Sequence, residues 1–115
     1  MSYNLEISVK VEGCGKFIAI AKPSYSSPTY NLGKMFRTCM GWDFKQCHRY
    51  RCSDCIDYIT KGIQELRSNP ANYAQFEAEN GWGRVPTALL TLETLLTCIR
   101  EQEEEIPLSC LYVSW

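Results

Sequence analysis

The sequence predicts a single α+β domain, residues 1–115, in which about three strands in the order β-β-α-α-α-β form a small antiparallel sheet packed against helices. Three observations predict it. Residues 3–11 alternate apolar and polar, residues 84–103 carry an apolar stripe at three-four spacing, and residues 108–115 are rich in β-formers. A chain of 115 residues, 45% of them hydrophobic, suits one domain and needs no staple to fold.

The first strand is read from Tyr3, Leu5, Ile7, Val9 and Val11, with polar residues between them. Gly13-Cys14-Gly15 supplies a hairpin turn, and a second strand spans Lys16–Lys22, stopping at Pro23. PSYSSPTY, residues 23–30, is a loop by composition. Asn31 is read as the cap of a short helix with apolar positions Leu32, Met35, Phe36, Cys39 and Met40, ending at Gly41. WDFKQCHRYR, residues 42–51, has no clear period and reads as a connector.

Ser53 or Asp54 would cap a second helix carrying Ile56, Ile59, Ile63 and Leu66, which stops at Asn69-Pro70. A helical turn around Ala71–Glu79 leads to Asn80-Gly81-Trp82-Gly83. The longest helix follows, from about Arg84 to Glu103, with Pro86 in its first turn, where a missing N–H costs little. The last stretch, Leu108–Trp115, is apolar on both faces, which predicts a covered strand or one paired inside a homo-oligomer through an otherwise adhesive edge.

Several function classes are excluded by composition. Aromatics at 12% and a net charge of −1 argue against disorder and against an electrostatic grip on nucleic acid over the whole surface. The longest apolar run, FIAIA at 17–21, is too short to span a membrane, and the alternating N-terminus is no signal-peptide core. The expectation is a cytoplasmic protein with no membrane partner.

Seven cysteines, an odd number, speak against a disulfide framework. Three of them form Cys47-x4-Cys52-x2-Cys55 beside His48, a spacing that could share a tetrahedral zinc with His48 or Cys39 as fourth ligand. The competing reading makes Cys52 and Cys55 small apolar residues on the first turns of a helix. No other cofactor is expected.

No catalytic residue is assigned. The single histidine, His48, lies among Lys45, Arg49 and Arg51, whose like charge would depress its pKa, and side chains of adjacent Cys47 and His48 would point apart. Glycine-rich phosphate loops are absent, and the acidic run Glu101, Glu103, Glu104 and Glu105 reads as a solvated face.

Binding signals are stronger. Lys34, Arg37, Lys45, Arg49 and Arg51 stand against one acid, Asp43, and interleave with Phe36, Trp42, Phe44 and Tyr50. Charge among aromatic rings suits a nucleotide or a single strand, and also a protein hot spot. Trp82 between two glycines either staples the following helix or offers a stacking surface beside Arg84 at a helix N-terminus, where an anion can bind. The ligand-binding residues expected are Tyr30, Asn31, Arg37, Trp42, Asn80, Trp82 and Arg84.

At YNLGKMF, residues 30–36, and ENGWG, residues 79–83, followed by an amphipathic helix reaching Cys98, the chain resembles small phage and prophage accessory proteins. The cysteine cluster lies outside that pattern. The resemblance implies an accessory protein of the host-cell cytoplasm that blocks defence by capturing a signalling nucleotide or covering a host defence protein. The leading expectation is therefore a non-catalytic binding protein. A zinc-stabilised interaction module using the 47–55 cluster is the alternative, and a small nucleotide-acting enzyme the third reading.

Overall fold

Period-two alternation places Leu5 and Ile7 in a core that excludes solvent, while Asn4 and Glu6 between them stay partly exposed. The computed structural model describes residues 2–77 and 83–115. Strand β1 (Asn4–Lys10) turns at Gly13 and Gly15, whose φ angles of 90° and 69° are left-handed, into antiparallel β2 (Phe17–Ala21). A register shift between Ile7 and Ser8 bends this pair. Strand β3 (Cys110–Ser114) returns along the other side of β1, so the antiparallel sheet has the order β2-β1-β3.

The helices are α1 (Gly33–Met40), α2 (Phe44–Cys47), α3 (Cys52–Ser68), α4 (Pro70–Ala74) and α5 (Val85–Glu105). The α+β class and the antiparallel three-stranded sheet agree with the sequence pattern. Two of the helices, α2 and α3, start in ways the pattern did not show. The connector contains α2, closed by a capping box in which Asp43 accepts from Lys45 N and Gln46 Oε1 accepts from Asp43 N. Helix α3 begins at Cys52, ahead of Ser53 and Asp54, because Cys52 N–H finds its acceptor across the fold in Ser109 O at 3.0 Å.

Asn31 is not the cap of α1. It lies inside a 3-10 turn, Tyr30–Leu32, capped by Thr29, whose Oγ1 accepts from Asn31 N at 3.4 Å. At the other long helix, the Glu77 carboxylate accepts from Val85 N at 2.8 Å and so satisfies one orphan donor of α5.

Helix α3 packs along α5 and against α1, and Gly62 is what lets the three meet. A Cβ there would lie 2.7 Å from Met40 Cγ and 2.8 Å from Leu92 Cδ1. Phe36, Phe44, Ile59, Leu92, Leu95 and Ile99 fill the space between these helices and the inner face of the sheet.

The edge expected to be adhesive is covered. Arg49 N donates to Leu111 O at 2.7 Å, and Leu111 N donates to Tyr50 O at 2.9 Å, so the segment before α3 closes the outer side of β3. Among the described residues the unpaired edge belongs to β2, where Ile18 is 55% exposed.

Candidate functional site: an aromatic and basic strip on the sheet

The residues that alternate with the core side chains of the sheet point to its opposite face. Tyr112 lies across from Glu6, and Phe17 across from Lys10. The loop after α2 adds His48 and Arg49 beside them. Together these groups form a continuous chain of contacts. Arg49 Cζ stands 5.2 Å from the Phe17 ring centroid, and Phe17 lies 5.6 Å from Tyr112. Tyr112 meets the His48 ring edge-on at 4.5 Å, and His48 meets Trp115 at 5.6 Å. Lys45 Nζ then bridges Trp115 at 5.7 Å and Tyr30 at 6.0 Å.

Two devices hold the strip in place. Tyr30 packs edge-on against buried Tyr3 at 4.8 Å, which continues to Phe44 and so ties the strip to the core. His48 Nδ1 accepts from Val113 N at 3.0 Å, which fixes the neutral imidazole with its proton on the other nitrogen. Burial, and after it the charge of Arg49, holds the His48 pKa below its ordinary value. Of the neighbours expected to depress it, Arg49 is the one that does.

Arg49 itself has φ 71°, and it is the non-glycine residue with left-handed backbone among the described residues. Such a conformation costs roughly 1–2 kcal/mol in a residue with a Cβ. It throws the guanidinium over Phe17 while its N–H still reaches β3. Around His48, Tyr112, Val113, Ser114 and Trp115 lies an open depression of about 260 Å³. Lys45 and Arg49 are exposed, Trp115 is 55% exposed, and the nearby carboxylate of Glu6 is already engaged by Lys22 at 3.5 Å.

The expected site residues divide. Tyr30 belongs to the strip. Asn31 is exposed one residue on, and a Cβ at Gly83 would lie 3.2 Å from Asn31 Cβ, so the end of the ENGWG segment packs on the YNLGKMF segment. Arg37 is turned to Asp43, 3.2 Å away, and not to the strip. Trp42 joins Tyr50 and Tyr58 on a separate surface. Arg84 is exposed as the residue preceding α5. Asn80 and Trp82 lie outside the described residues.

Cys47, Cys52 and Cys55 are buried in the core, the latter two on the first turn of α3, while His48 faces the sheet. The Cys47 thiol is pushed up by its contact with the Cys55 thiol and by burial, and burial pushes Cys52 up to about 12. Neutral thiols pack as small apolar groups. Among the described residues no group of three or more His, Cys, Asp or Glu side chains is disposed to hold a metal ion, and no helix is long and apolar enough to cross a membrane.

Sequence reasoning missed Phe17, Tyr112 and Trp115. The signal available was Tyr112 set between Leu111 and Val113, an aromatic ring on the face of the last strand opposite its aliphatic one. No protein-family model, no curated protein and no solved structure matches the chain.

Proposed function

We propose that the protein is a non-catalytic binding module that holds a nucleotide-like ligand on the strip, with flat rings against Tyr112 and Trp115 and phosphate against Lys45 and Arg49. The observation that carries this reading is the unbroken run of four rings from Phe17 to Trp115, with a cation at either end, Arg49 over Phe17 and Lys45 over Trp115. Stacking takes any base by its π-face and is worth roughly 1–3 kcal/mol per base, while exposed cations supply a salt-dependent grip on phosphate. The strained Arg49 supports the same reading, since backbone strain away from glycine gathers at functional positions.

The likeness of the YNLGKMF and ENGWG segments to phage accessory proteins extends the proposal. In that setting the ligand is a signalling nucleotide of the host, withheld from the defence protein that reads it.

Calorimetric titration with AMP, a cyclic dinucleotide and a short oligothymidylate tests the reading. At least one binds saturably, and Lys45→Ala with Arg49→Ala weakens it by about tenfold or more. For the single strand, neutralising two phosphates gives a log–log salt slope of about −1.4. Absence of binding by all three, or affinity indifferent to both substitutions, overturns it.

A further inference from the structure

Away from the sheet, the turn after α1 and the first turns of α3 build a second aromatic surface of opposite electrostatic character. The Trp42 ring lies between Tyr50, edge-on at 5.0 Å, and Tyr58, tilted at 4.3 Å. Trp42 is anchored by packing on the core, whereas Tyr50 and Tyr58 remain 51% and 42% exposed, so core formation does not account for them. With Ser53, Asp54 and Asp57 these rings line an open cavity of about 460 Å³. That is within the roughly 300–1,000 Å³ of small-molecule sites.

Among the described residues no basic side chain lines this cavity. Asp54 and Asp57 are exposed, and neither has an ion-pair partner among the described residues. The faces of the three rings are electron-rich, so they attract positive charge. The two carboxylates set the same preference and repel phosphate, which separates this cavity from the strip. A primary ammonium is strongly hydrated and loses much on leaving water, whereas an alkylated ammonium spreads its charge over methyl groups that also bury against the rings.

We propose that the cavity of Trp42, Tyr50 and Tyr58 binds an alkylated ammonium group, with Asp54 and Asp57 as its counter-charges. This site stands apart from the proposed nucleotide site, and either assignment can fail alone.

The test is an NMR titration of the full chain followed at the Trp42 indole N–H, which is assigned by its loss in Trp42→Phe. Choline and trimethyllysine amide are titrated in parallel with 3,3-dimethylbutan-1-ol, the uncharged isostere of choline. The cations shift the indole saturably and bind about tenfold more tightly than the neutral isostere. Whichever cation binds more tightly identifies the source of the group, a small metabolite or a modified lysine, and either supports the site. Asp54→Asn with Asp57→Asn changes only exposed positions and weakens the cations by about tenfold while leaving the isostere unchanged. Equal binding of cation and isostere, unsaturable shifts, or cation affinity indifferent to both substitutions overturns the proposal.

Discussion

The two faces of the same three strands are built from alternate residues and answer to different physics. On the inner face Leu5, Ile7, Leu111 and Val113 are buried under helices, and each contributes by leaving water. On the outer face Phe17 and Tyr112 are only partly covered, and their neighbours are Arg49 and His48 in place of hydrocarbon. Apolar content alone therefore does not separate core from site. What separates them is whether a side chain is sealed by hydrocarbon or left part-exposed among other rings with a cation at hand.

The largest effect comes from breaking the inner face. Ile7→Ala leaves a cavity between sheet and helices and costs about 2–5 kcal/mol in denaturant unfolding, against under about 2 kcal/mol for Tyr112→Ala across the sheet. Comparable losses at the two positions would erase the distinction between the faces.

A smaller effect sharpens the comparison at Arg49. Glycine takes its left-handed backbone without penalty, so Arg49→Gly relieves strain of about 1–2 kcal/mol while losing a cation–π contact of about 0.5–1 kcal/mol. The expected outcome is a midpoint equal to or above that of the parent chain, together with nucleotide affinity lowered by about tenfold. A stability loss above about 1 kcal/mol would make Arg49 a structural residue.

The smallest effect is at His48. Its folded pKa lies below the ordinary value of 6.5, so the unfolded chain takes up the proton first as pH falls. Stability is therefore full above about pH 6.5 and declines as pH drops from there toward the folded pKa, because charging His48 also removes the acceptor of Val113 N–H. His48→Gln flattens this dependence between pH 8 and 5, by an amount of about 1 kcal/mol or less. Identical pH profiles for the two chains would show that the hydrogen bond carries no linkage.

The fold was legible wherever period and burial coincide. The alternation of residues 3–11 marked β1, and the stripe from Val85 to Ile99 marked α5, because each pattern has one buried face to specify. Helix starts were less legible. Cys52 takes its acceptor from Ser109, fifty-seven residues away, and no local signal announces that.

The site was half legible for a related reason. The segment 34–51 displays its cations and rings together in sequence, yet the capped turn at Asp43 and the reversal at Arg49 send them to two surfaces. Lys45, His48 and Arg49 reach the sheet, while Trp42 and Tyr50 go to the acidic cavity. Phe17, Tyr112 and Trp115 join the strip only through strand pairing, which composition does not encode.

The central claim is that the outer face of the sheet is the ligand surface, and mapping amide and aromatic NMR shifts during nucleotide titration tests it most directly. Saturable shifts are expected to centre on His48, Tyr112, Val113 and Trp115, with Trp42 and Tyr58 unmoved. Shifts centred instead on Trp42 and Tyr58 or along α5, or no saturable shift at all, would contradict it.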